Sequence, residues 1–228
     1  MIEDLSADLQ KVLQKRANLK SYNAEEEVLQ YVVKNHPDHK AKEWVAIKVK
    51  LLNQFYSTGI QAINIVMDNV MKNNIDKCFA KPEYDPELVE QIALMEIPGH
   101  KPRRNYSFAT KYCALHQPDK YPIYDSIVAN VLTSLFKQNM LPPFRCQRTA
   151  SKTPDLCMSA TKFKERMNTD YDFFVKVYKS FIAAYGLTGV GYRQVDWYLW
   201  GAYKLPGDKF RIEELTQLSD KLYTEYKD

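Results

Sequence analysis

The sequence predicts an all-α protein. Three observations carry that expectation: only 7 glycines occur in 228 residues, charged residues make up 26% of the chain, and long runs place apolar side chains three and four positions apart. A hydrophobic content of 45% can fill a real core at this length. One helical domain is therefore expected over residues 1–228, with room for two helical lobes and a cleft near 97–128.

The elements follow from periodicity and punctuation. Glu3 to Lys20 and Ala24 to Asn35 read as amphipathic helices, the second ended by Pro37. Lys42 to Tyr56 sets Trp44, Ile47, Leu51, Leu52 and Phe55 on one stripe, and after Ser57-Thr58-Gly59 the run Ile60 to Asn73 repeats the pattern with Ile63, Met67, Val70 and Met71. Asp85-Pro86-Glu87 supplies an N-cap, a first-turn proline and an acid at the positive helix end, so a helix is expected from Pro86 to about Glu96.

Ile97-Pro98-Gly99-His100 breaks that helix, and Tyr106 to His116 forms the next. After the turn Gln117 to Pro122, a helix over Ile123 to Asn139 carries Ile127, Val131 and Leu135 at four-residue spacing, and Met140 to Pro154 reads as an irregular basic loop. A helix from Tyr171 to Tyr185, a glycine-rich turn over Gly186 to Gly191, an aromatic helix to Tyr203 and a last helix from about Ile212 complete the chain.

Composition excludes several functions. No window reaches the roughly 18 consecutive apolar residues of a membrane span, and Met1 to Lys20 is too charged for a signal peptide, so a soluble, cytoplasmic protein without membrane partners is expected. Cys78, Cys113, Cys146 and Cys157 form no Cys-x-x-Cys pair, which argues against a zinc or iron–sulfur site and for free thiols; no metal or cofactor is expected.

The net charge of +4 and pI near 8.7 permit nucleic-acid binding without announcing it. Position says more than total. Lys101, Arg103, Arg104 and Lys111 form one run without acids, and Lys137, Arg145, Arg148 and Lys152 form another. Both lie in or beside predicted loops, which suits phosphate contacts, although such runs are often no more than solvated surface.

Ile97-Pro98-Gly99, then Phe108-Ala109-Thr110-Lys111, then Pro122-Ile123-Tyr124-Asp125-Ser126-Ile127-Val128 resemble the helix-hairpin-helix DNA glycosylase superfamily, in particular its bacterial 8-oxoguanine-glycosylase-like branch. Phe55-Tyr56-Ser57-Thr58 and Val195-Asp196-Trp197-Tyr198-Leu199-Trp200 are similar to further segments of that branch. The direct match covers about thirty residues. In the superfamily a Leu-Pro-Gly-Val-Gly hairpin precedes a helix and a catalytic aspartate by a little over twenty residues, and here Asp125 follows Gly99 by 26.

The hairpin departs from that pattern, because His100 and a longer Lys101-Pro102-Arg103-Arg104 loop replace its Val-Gly. Leu187-Thr188-Gly189-Val190-Gly191 is a closer hairpin match and Asp208 lies 19 residues past Gly189, but Asp208 lacks the Pro-x-x-Asp-Ser-x-Val context; Asp125 is the preferred register.

What the resemblance implies is a glycosylase acting on duplex DNA as a monomer. Breaking an N-glycosidic bond builds positive charge on the sugar, so one fixed carboxylate, Asp125, can stabilise the oxocarbenium-like state or activate the attacking water. Lys111 is the candidate Schiff-base nucleophile of a bifunctional enzyme, although the family's lysine lies in or just after the hairpin. Lys101, Arg103, Arg104, Arg145, Arg148 and Lys152 are the candidate DNA contacts. Phe108, Tyr121, Tyr124 and Trp197 are candidate walls of a flipped-base pocket, and Trp200 reads as core. The alternative functions are a non-catalytic DNA-binding or interaction module on the same scaffold, or a helical protein unrelated to DNA.

Overall fold

The computed structural model describes residues 1–72, 74–96, 99, 101–146, 156–205 and 209–216. Among them the chain is mostly helical: α1 (Ser6–Ala17), α2 (Lys20–Asn35), α3 (Lys42–Phe55), α4 (Ile63–Lys72), α5 (Ile75–Phe79), α6 (Pro86–Ala93), α7 (Tyr106–His116), α8 (Ser126–Lys137), α9 (Ala160–Thr169), α10 (Tyr171–Ala184), α11 (Tyr192–Lys204) and α12 (Arg211–Thr216). Two-residue strands, β1 (Leu94–Met95) with β2 (Arg103–Arg104) and β3 (Arg145–Cys146) with β4 (Cys157–Met158), form an antiparallel and a parallel pair. No described helix is long and apolar enough to cross a membrane.

The chain divides into two compact units, Leu19–Ile123 and a second unit built from residues 1–18 and the chain from Tyr124 onward. In the Leu19–Ile123 unit, α7 is the centre: Tyr106 and every residue from Phe108 to Leu115 are buried, with α2, α3 and α6 packed on it. Helix α6 starts where the sequence places it, because the Asp85 carboxylate accepts the Glu87 and Leu88 N–H groups ahead of Pro86. It ends early: Leu94 and Met95 pair with Arg104 and Arg103 instead of continuing the helix to Glu96.

In the other unit α1 packs on α11, and the contact is close because residue 201 has no side chain. A Cβ on Gly201 would sit 2.5 Å from Val12 Cγ1. Buried Asp8 accepts the Tyr198 hydroxyl at 2.7 Å. A phenylalanine cluster joins α8, α9 and α10: Phe136 and Phe163 stack at 3.9 Å between ring centroids, with Phe144 and Phe173 meeting Phe163 edge-on.

Some expectations change. Helices α5 and α9 were not expected from the sequence; α5 is a single turn, and α9 has a weakly apolar face with only Phe163 and Met167 buried. Helix α8 begins at Ser126 rather than Ile123, because Asp125 takes an extended conformation and caps it. In α3 the fully buried face is Val45, Lys48, Val49 and Leu52, while Trp44, Ile47, Leu51 and Phe55 of the expected stripe are only half-buried.

Gly201→Ala is expected to lower stability by about 1–2 kcal/mol, since the clash with Val12 outweighs the roughly 1 kcal/mol gain in helix propensity. Urea unfolding checks this: in a Val12→Ala background, where the neighbour is cut back, the same change should stabilise.

Candidate functional site

Asp125 is half-buried and fixed. Its backbone is extended, its carbonyl accepts the Ala129 N–H at 2.9 Å, and its Oδ1 accepts the Val128 N–H at 2.9 Å. Its other carboxylate oxygen has no hydrogen-bond partner among the described residues. One oxygen anchors the group and the other remains available for chemistry.

The unit that holds Asp125 carries further polar groups on α10 and α11. Tyr178 is fully buried, its hydroxyl donates to the Tyr192 carbonyl at 3.4 Å, and its phenol is pushed well up by burial and then by the negative fields of Asp196 and Asp125. Asp196 is itself buried and pairs with Arg193 at 3.2 Å. The Tyr178 hydroxyl is thus held protonated, a donor at any physiological pH.

The same unit contains the second hairpin candidate. Gly186 at φ +72° and Gly189 at φ +88° form a turn in which Val190 N–H donates to Leu187 C=O at 3.1 Å. The Gln194 side chain accepts the Gly191 N–H at 3.3 Å where α11 begins. Asp125 therefore shares a unit with Leu187–Gly191, whereas Gly99 belongs to the other unit. Ile97, Pro98 and His100, and Asp208 of the rival register, lie outside the described residues.

Lys111 belongs to the Leu19–Ile123 unit and Asp125 to the other. It is only 9% exposed, Nζ donates to Ser107 Oγ at 3.0 Å, and the ammonium lies 5.8 Å from the centre of the Tyr56 ring. It is an anchored cation inside its own unit.

The remaining candidates separate in the same way. Lys101 and Arg103 are exposed. Arg104 is not available to a phosphate in the same sense: Nη2 donates to both Glu90 carboxylate oxygens at 2.6 Å, and the guanidinium covers the Tyr106 ring at 4.1 Å. Arg145 is exposed, while Arg148 and Lys152 lie outside the described residues. Phe108 and Tyr121 are core residues, each 1% exposed, and the Tyr121 hydroxyl accepts the Asp85 N–H. Trp197 is half-buried with Arg16 stacked 3.9 Å over its ring. Tyr124 lines an open groove of about 430 Å³ together with Thr133, Lys137, Thr161 and Lys164.

A buried polar chain in the Leu19–Ile123 unit escaped the sequence reading. His39 Nδ1 lies 2.6 Å from Asp76 Oδ1, its Nε2 lies 2.8 Å from the Tyr112 hydroxyl, and its backbone N–H donates to Asp76 Oδ2 at 3.1 Å. Beside it Lys48 is 0% exposed, with Nζ donating to the Asp38 carbonyl at 2.8 Å. Burial pushes the Lys48 amine down to about 8, against the opposing pull of Asp76 and Asp38. Burial also lowers His39, and lowers His116 strongly with help from the Lys48 and His39 fields. His116 Nε2 is buried without a hydrogen-bond partner among the described residues. No spacing in the sequence links residues 39, 48, 76, 112 and 116; the only signal was a lysine in the middle of an apolar helix. Among the described residues no cluster of His, Cys, Asp and Glu has a metal-holding arrangement.

Comparison with known proteins bears mainly on this part of the chain. Residues 8–120 match the family model HI_0787_N, an N-terminal domain. A stretch of 104 residues is 38% identical to a Haemophilus influenzae protein described as uncharacterized, and covers 45% of this chain and 50% of that protein. The chain thus spans about half the length of the curated relative it matches. No solved structure matches. The family match takes in Lys111 and the His39 chain, and stops short of Asp125.

Lys48→Met is expected to raise stability by about 1–3 kcal/mol near neutral pH, because a buried ammonium is replaced by an isosteric apolar chain. The amine's lowered pKa makes the cost grow as pH falls from the unfolded value of 10.5 toward 8 and stay level below. Urea midpoints of the two proteins should therefore converge at strongly alkaline pH. The histidines act in another window: their folded values lie below 6.5, so the unfolded chain takes up protons first and stability falls as pH drops below that value. Replacing His116 with Asn should flatten the decline of the unfolding midpoint between about pH 7 and pH 5.

Proposed function

We propose that the chain is a DNA glycosylase that excises a damaged or modified base, with Asp125 as the carboxylate that stabilises the oxocarbenium-like transition state and orients the attacking water. The observation that carries this reading is the setting of Asp125. One oxygen is tied to the α8 N-terminus and the other has no hydrogen-bond partner among the described residues, in the unit that also carries the buried Tyr178 and the Leu187–Gly191 turn ahead of α11. A carboxylate whose direction is fixed by its own helix meets a developing sugar cation without reorganisation.

The setting of Lys111 favours hydrolysis by water over a Schiff base. Its amine is tethered to Ser107 and covered by the Tyr56 ring, whereas a nucleophilic amine has to reach the sugar carbon. The enzyme is then monofunctional, and of the candidate phosphate contacts Lys101, Arg103 and Arg145 are exposed.

The test is base release from a panel of duplexes, each carrying one modified base. Asp125→Asn should reduce single-turnover release by about a hundredfold or more while leaving duplex affinity unchanged, and borohydride should trap no covalent adduct. Full activity of Asp125→Asn would sink the assignment. No release from any duplex, with salt-sensitive binding intact, would favour a non-catalytic DNA-binding module.

A further inference from the structure

We propose that the groove between α8 and α9 is a phosphate site that holds the DNA strand next to Asp125; the inference rests on the nucleic-acid reading above and extends it to a second surface. The groove encloses about 430 Å³, within the range of ligand-binding clefts. Tyr124, the residue bonded to Asp125, forms part of its wall, and the Tyr124 ring is braced edge-on by Phe174 at 5.3 Å. Lys137 stands on the α8 side and Lys164 on the α9 side.

Among the described residues no acid pairs with either lysine. Lys137 has no hydrogen bond or ion pair among the described residues, and the Lys164 ammonium touches only the neutral Asn130 Oδ1, at 2.8 Å. Glu165 on the same wall offsets one of the two positive charges, which leaves a net positive cleft. Thr161 adds an exposed hydroxyl. Two cations on opposing walls suit a phosphodiester that runs between them, and a strand held there passes the residue adjoining Asp125. Two lysines set against a single glutamate give the cleft the charge complement of a phosphodiester, so a nucleic-acid backbone is the occupant we assign.

Both lysines are exposed, so their removal leaves the core intact. The experiment compares wild type with Lys137→Ala/Lys164→Ala on a short fluorescent duplex, reading the dissociation constant across a salt series and single-turnover base release at saturating DNA. If each lysine neutralises one phosphate, the double variant loses about 2 from the slope of log affinity against log salt, at roughly 0.9 per contact, and binds at least about tenfold more weakly. Lys137→Arg/Lys164→Arg restores both the slope and the affinity. An unchanged slope and affinity would overturn the groove assignment even where Asp125→Asn abolishes release. A reduced slope in a protein that releases no base would uphold the groove and remove the glycosylase reading, and a wild type that does not bind duplex at all would overturn both.

Discussion

The enclosure of α7 is the constraint on which the Leu19–Ile123 unit depends. A helix buried from Phe108 to Leu115 leaves no water for its polar side chains, so each of them has to find a partner inside the protein. Thr110 turns its hydroxyl back to the Ser107 carbonyl, Lys111 takes the Ser107 hydroxyl, and Tyr112 reaches the His39 ring. His39 in turn holds Asp76, so the segment before α3, the single turn of α5 and the centre of α7 are fastened by one chain of hydrogen bonds.

That chain comes at an energetic cost that a purely structural core would not carry. A fully buried ammonium at Lys48 and a buried imidazole nitrogen at His116 that has no partner among the described residues both oppose folding, and apolar residues of similar volume would fill the same space more favourably. Cores that retain such groups are commonly those in which polarity serves specificity or function. The residues lie within the stretch matched by the N-terminal domain family, while Asp125 and the groove beside it lie beyond it. The chemistry proposed for Asp125 and the polar core of the preceding unit are therefore separate features of the chain.

Electrostatics around Asp125 follow a different pattern. Its carboxylate accepts a backbone N–H at the start of α8 and forms no ion pair among the described residues. Among the described residues no guanidinium pairs with it, as the chemistry proposed for Asp125 requires.

Most of the helices were legible in the sequence because their boundaries are set locally. Asp85-Pro86, Asp125-Ser126 and the Gly186 to Gly191 turn each encode a cap or a turn in neighbouring residues, and the Tyr106–His116 helix has the bounds its flanking breakers imply. What the sequence could not decide is which face of α3 turns inward. Both the Trp44–Leu51 stripe and the Val45–Leu52 stripe are apolar, and a lysine on the second argues against it until the Asp38 carbonyl and the Asp76 carboxylate are brought to Lys48 by tertiary packing. The same holds for the candidate site. Asp125 and its cap could be read from six adjacent residues, whereas the commitment of Arg104 to Glu90, the pairing of His39 with Asp76 and the meeting of Lys137 and Lys164 across one groove depend on contacts between distant segments, which only the folded chain brings within reach.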